Sequence, residues 1–217
     1  MKKRGFTLAE VMIALSLIGV IASLTIPTFI ANSRNKANAS KLATTISAVE
    51  NAFTSMISTE MANDLTETDF GLARTEANFG KYLKLDGSDD KLKTYYGTAN
   101  PFVVIGKTGF QPIVTRIFQA KNGALLIYRD SVVAPAADDS HPGAIGNLYI
   151  DVNGPAKPNV WGRDVFSFRV GNDGLLYPCG GEKFALMETN GNITPCEKFT
   201  SYACTARLIE NNYEIDY

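Results

Sequence analysis

Hydrophobic residues along this chain follow three successive patterns. From Phe6 to Ile26 they are nearly continuous, and the run holds one charge, Glu10. Its 21 residues at about 1.5 Å each make a helix roughly 31 Å long, the thickness of a bilayer's hydrocarbon core. A carboxylate in such a run costs about 2.5–3.5 kcal/mol at mid-depth on insertion scales, and less near the interface, so its presence calls for a reason. Beyond the run, Ile30, Leu42, Ile46, Val49, Phe53, Met56, Ile57 and Met61 fall mostly three and four residues apart. That spacing predicts an amphipathic helix with one apolar stripe, facing a core and ending at Asn63-Asp64. Residues 6–62 would span about 85 Å as one helix, too long to lie within one globule. Two halves are therefore expected, with a bend or local melting over residues 23–28, where Pro27 lacks an N–H and crowds the preceding turn.

The third pattern is a set of short runs rich in β-branched and aromatic residues: Phe102–Ile105, Ile113–Gln119, Ala124–Tyr128, Asn147–Val152, Val165–Val170 and Leu175–Tyr177. Gly, Pro, Asn and Asp separate them, as expected of strands. Asn122-Gly123 and Asn172-Asp173-Gly174 stand where tight hairpin turns belong. Asp69 is placed to cap a helix over residues 70–85. The alternation Phe166-Ser167-Phe168-Arg169-Val170 predicts one buried sheet face, with the amphipathic helix as its cover. Residues 134–146 read as a surface loop, and the segment from Cys204 to Tyr217 as a last helical turn followed by an edge strand. The fold class is α+β, a long N-terminal helix on an antiparallel sheet. The 155 residues of 63–217 suffice for one core.

Charge narrows the function classes. Without Lys2, Lys3 and Arg4 the chain keeps 18 of its 21 Lys and Arg against 22 Asp and Glu, a formal charge of −4. No basic stripe or nucleic-acid motif is present, so nucleic acid is not indicated as a partner. The single histidine, His141, sits in the 134–146 loop beside Pro142 and reads as a solvated loop residue, and no phosphate loop, nucleophile elbow or HExxH motif occurs. Asp89-Asp90 and Asp138-Asp139 read as solvated turns. The inventory points away from an enzyme.

Gly5-Phe6-Thr7-Leu8-Ala9-Glu10, preceded by Lys2, Lys3 and Arg4, resembles the type IV prepilin signature shared by type IV pilins and type II secretion pseudopilins. Pro27 also falls where that family carries a helix-perturbing proline. The resemblance covers about 30 residues. It implies a leader (1–5), a transmembrane or filament-core helix (6–27), a continuing amphipathic helix (28–62) and a globular pilin-like head (63–217). A prepilin peptidase would cut between Gly5 and Phe6 and methylate the new amine of Phe6. The subunit would then join other pilin or pseudopilin subunits through an inner-membrane assembly platform. Glu10, on the same helical face as Phe6, would pair with the Phe6 amine of a neighbouring subunit and set register.

Other readings of the same residues stand beside it. Val20-Ile21-Ala22 fits a small-x-small signal-peptidase site, with Ser23 as the new N-terminus. The run can also be a plain signal anchor, or the anchor of an exported binding protein or enzyme. Lys2–Arg4 directly against the run place the N-terminus in the cytoplasm and the head outside, although Arg34, Lys36 and Lys41 lie near the other end.

Cys179, Cys196 and Cys204 all lie in the last 40 residues. In an extracytoplasmic head they permit one disulfide, worth roughly 3 kcal/mol by loop entropy. A bridge involving Cys196 is expected, to Cys179 or to Cys204. Asp151, Asn153 and Asp164 offer hard oxygen ligands in the loop 151–164, and the pseudopilin resemblance implies calcium there. The spacing is not an EF-hand's, and Lys157 and Arg163 reduce the local negative charge. The competing reading is an Asx-turn loop in which Asp164 pairs with Arg163 or caps backbone N–H groups, with Trp161 as its anchor.

Overall fold

A computed structural model describes residues 5, 7–87, 116–129, 143–154, 156, 159–179, 185–187, 193–196 and 204–215. Phe6, the run Phe102–Ile105, His141, both Asp-Asp pairs and Lys157 lie outside the described residues. A 52-residue helix, α1 (Leu8–Thr59), opens the chain. A 3-10 turn (Leu65–Glu67) and two short helices, α2 (Asp69–Leu72) and α3 (Glu76–Gly80), follow. Strands β1 (Leu85–Gly87), β2 (Arg116–Ala120), β3 (Leu125–Arg129), β4 (Ala144–Asp151), β5 (Val165–Gly171) and β6 (Leu176–Pro178) form an antiparallel sheet in chain order. A separate hairpin, β7 (Ala185–Met187) with β8 (Ile193–Pro195), and α4 (Cys204–Glu210) complete the described elements. The chain divides into two units, Met1–Ala37 and Asn38–Tyr217.

Within the first unit, Leu8, Met12, Leu15, Ile18, Ile21, Leu24 and Ile26 are all exposed, so the apolar surface runs around the helix. This helix is long and apolar enough to cross a membrane. Its α-helical geometry continues through Pro27, without the local melting expected there. Pro27 withdraws one N–H from the ladder, and the hydroxyls of Ser23, Thr25 and Thr28 donate to the carbonyls of Val20, Ile21 and Thr25 around it. One lost bond is tolerated where the flanking turns are intact.

In the second unit, Leu42, Ile46, Val49, Ala52, Phe53 and Met56 of α1 meet Phe118, Leu126, Tyr128, Leu148, Ile150, Phe166, Phe168 and Val170. The stripe is shorter than its spacing implied. Ile30 belongs to the first unit and is 45% exposed. Met61, 90% exposed, lies past the helix end at Thr59 and turns left-handed at φ 50°.

The helix expected over 70–85 is broken in two. Thr68 and Thr75, rather than Asp69, accept the capping N–H bonds, from Gly71 and Asn78. The break at Ala73–Thr75 leaves Arg74 free to reach Gly71 O at 2.8 Å and to lie over the Tyr128 ring, 5.6 Å from its centroid. Phe70 and Phe79 can then both stack on Phe53, at 5.3 and 5.5 Å.

Both predicted turns are present. Gly123 and Gly174 have φ of +79° and +84°, where glycine is preferred. A Cβ on Gly174 would also stand 3.2 Å from Phe53 Cβ.

One expectation of β5 is corrected. Ser167 and Arg169 are buried, as Phe166 and Phe168 are. Ser167 N–H donates to Thr205 Oγ1 of α4 at 2.9 Å, and Arg169 donates to Asn147 Oδ1 at 2.7 Å. Burial of the second face is tolerated where its charged side chain, Arg169, is hydrogen-bonded. The C-terminal segment is also corrected. After α4 the chain turns through Asn212 and Tyr213, both at positive φ, and forms no edge strand among residues 211–215.

Phe53 is the common partner of this core. Phe53→Ala is expected to lower stability by about 3–5 kcal/mol through lost burial and a residual cavity. Denaturant unfolding of the full chain in detergent micelles checks this, and a loss below about 1 kcal/mol would contradict the packing described.

Candidate functional site: the amino-terminal segment and the acidic loop

Thr7 stands just before the first helical residue and Glu10 three positions later, the spacing of a capping box. The Thr7 amide and hydroxyl both lie 2.8 Å from Glu10 Oε2, and the Glu10 amide donates to Thr7 Oγ1 at 3.3 Å. The carboxylate therefore satisfies an otherwise unpaired helix-end N–H, which reduces the cost of an acid in the apolar run. Thr7 carries a role that the opening reading did not assign. Its signal is present in the sequence as Thr-x-x-Glu at the start of an apolar helix. Gly5 is exposed, and a side chain there would meet nothing within 4 Å, so packing within the chain does not require glycine at this position.

The second site lies in the other unit, between β4 and β5. Asp151 ends β4 fully buried, and Asp164 precedes β5 with 2% exposure. Asn153 ties them together, its N–H donating to Asp151 Oδ1 at 3.1 Å and its Nδ2 to Asp164 Oδ2 at 3.3 Å. Asp164 also accepts from the Val160 N–H and from Arg163, the latter at 3.3 Å. The Asx turn and the Arg163 pair of the competing reading are thus both present. Gly154, at φ +66°, is required by close approach, since a Cβ there would stand 2.6 Å from Gly123 O. Trp161 is buried edge-to-face on Tyr149 and anchors the loop, with ring centroids 5.8 Å apart.

Asp164 has donors on both oxygens, whereas Asp151 has not. Among the described residues, Asp151 Oδ2 and Asn159 Oδ1 are buried without a hydrogen-bond donor. Burial, and then the charge of Asp164, push the Asp151 carboxyl up to about 8. Burial also raises Asp164, opposed by the Val160 N–H and Arg163. A buried carboxylate oxygen and a buried amide oxygen without donors are the hard oxygen type that calcium takes as ligands. No group of three or more His, Cys, Asp or Glu residues placed to hold a metal occurs among the described residues, so amide and backbone oxygens would complete any such set. Asn159 was not among the residues singled out in the sequence, because an amide in a Pro-rich loop reads as a turn.

Cys196 and Cys204 form a disulfide at the N-terminus of α4. Cys179, outside that bridge, is buried. Its N–H donates to Ser167 O at 3.0 Å and its carbonyl accepts from Ala206 N at 3.3 Å.

A family model described as the prokaryotic N-terminal methylation motif matches residues 1–26. The N-terminal segment carries that motif. A stretch of 51 residues is 47% identical to the type II secretion system core protein G of Escherichia coli (strain K12). The match takes in 24% of this chain and 34% of that protein, so the chain spans about a third of its relative's length. No solved structure matches the chain.

The acidic loop gives a pH prediction. A carboxyl raised above its ordinary value in the folded chain favours folding below about pH 4, and this contribution is lost as pH rises through about 8. In metal-free buffer the unfolding midpoint of the second unit is expected to fall over that window, and Asp151→Asn to flatten the dependence. Equal slopes for the two proteins, measured by denaturant titration, would remove the assignment.

Proposed function

We propose that this chain is a structural subunit, a pilin or pseudopilin, of a type IV pilus-like or type II secretion filament. The observation that carries the reading is the methylation motif over residues 1–26 on a helix exposed and apolar all round, with its one acid held in a capping box. On this reading a prepilin peptidase cuts between Gly5 and Phe6 and methylates the Phe6 amine. The precursor waits as a single-pass protein of the bacterial inner membrane, its N-terminus cytoplasmic and its head outside. An assembly platform then moves it into a filament of like subunits. The exposed Gly5, unneeded for packing, supports a leader selected for peptidase access. Pro27 belongs to the segment that passes from lipid into the filament core. The role is architectural rather than catalytic.

The head carries a second proposed feature, a calcium ion in the acidic loop. Asp151, Asp164, Asn153 and Asn159 supply the oxygen atoms. The ion would neutralise two buried carboxyls and stiffen the connection between β4 and β5. The orphaned Asp151 Oδ2 and Asn159 Oδ1 support this assignment.

Assembly tests the main reading. Glu10→Val is expected to leave the membrane-inserted amount unchanged and to lower recovery in sheared filaments by about tenfold or more, because the partner amine is left unpaired. Quantitative immunoblotting of membrane and filament fractions measures both. Unaltered filament recovery would sink the role given to the acid.

A further inference from the structure

Lys41 sits on α1 between two residues that tie the helix to the acidic loop and its neighbouring turn. Asn38 Nδ2 donates to Arg163 O at 3.1 Å, inside the loop. Asn122 Nδ2 donates to Thr45 Oγ1 at 2.9 Å, from the hairpin turn between β2 and β3. Residues 38, 41 and 45 share one helical face, so the half-buried Lys41 points into the same place. Its Nζ lies 3.6 Å from the position a Cβ would take on Gly123. Gly123 O in turn abuts Gly154, three residues beyond Asp151. Leu125, two residues past that glycine, is the register partner of Asp151.

We propose that Lys41 is a tethered counter-ion of the acidic loop, an ammonium carried by α1 that competes with a divalent cation for the field of Asp151 and Asp164. The proposal rests on the calcium reading above and adds its regulation. Loading the loop would require Lys41 to withdraw, so that occupancy is felt by the helix between the Asn38 and Thr45 anchors. Burial holds Lys41 below its ordinary range, opposed by attraction to Asp151, and Lys41 in turn favours the ionised Asp151. The side chain suits the task. Its apolar stem packs where it is half-buried, and its charge is a point on a flexible tether.

The test uses full-length chain in detergent micelles, with terbium as the probe and calcium as its competitor. Trp161 is the sole tryptophan of the chain and lies within the loop, so terbium luminescence excited through it reports this site. Lys41→Met keeps the stem and removes the charge, and is expected to tighten calcium binding by about tenfold. Lys41→Arg keeps the charge and is expected to bind as wild type does. Lys41→Gln should follow Lys41→Met, and circular dichroism confirms that each variant is folded. A wild type that binds too weakly to detect beside a Lys41→Met that binds supports the proposal. Equal or weaker binding by Lys41→Met, with binding abolished in Asp151→Asn, overturns the competitor role and leaves the calcium site standing. Tightening by Lys41→Arg overturns it too, because the effect would then be one of shape. No binding by wild type, Lys41→Met or Lys41→Gln overturns both readings.

Discussion

One helical backbone has to meet two environments, and the organisation of the chain follows from that constraint. Over residues 8–30, α1 is apolar around its circumference and uncovered within its own unit. From Ala39 to Met56 the same helix is apolar on one face, and that face forms the core with the sheet. Water tolerates the second pattern and not the first. The first segment therefore needs lipid or other apolar helices around it, whereas the second is satisfied by its own chain. Glu10 sits at the end of the segment where a charge is least costly, and Thr7 occupies its carboxylate from within the helix. Helix-end chemistry thus explains how the acid is tolerated. Pairing with a neighbouring amine is the purpose proposed for it.

Much of this was legible in the residues. Strands β3 to β6 were marked by turn residues with a definite backbone requirement, and Gly123 and Gly174 adopt the positive φ that made them recognisable. The Phe166-Phe168-Val170 face was readable because strand side chains alternate. What period alone could not show was the state of the opposite face. Ser167 and Arg169 are polar yet buried: Thr205 takes the backbone N–H of Ser167 from 38 residues away, and Asn147 takes the Arg169 guanidinium from 22 residues away. The break at Ala73–Thr75 was likewise hidden. It depends on where Phe70 and Phe79 must stand to stack on Phe53, which outweighs the helical spacing of the segment.

The acidic loop was legible in kind but not in detail. Asp151, Asn153 and Asp164 could be named from their chemistry, and they do come together. Asn159 and Lys41 could not, since their part follows from tertiary placement. A buried carboxyl with an unsatisfied oxygen is costly, and here Asp151 keeps one beside the second buried acid, Asp164, in a loop held by a glycine that admits no side chain. That arrangement is hard to account for by turn geometry alone, because an Asx turn needs only one of the oxygen atoms.

The central claim is that the membrane span is temporary, released for assembly by a cut on its cytoplasmic side. Intact-mass and terminal-peptide spectrometry of the chain recovered from its native envelope tests this most directly. The account predicts a chain beginning at Phe6, with one methyl group on the Phe6 amine. A chain beginning at Ser23, or one retaining Met1, would contradict it.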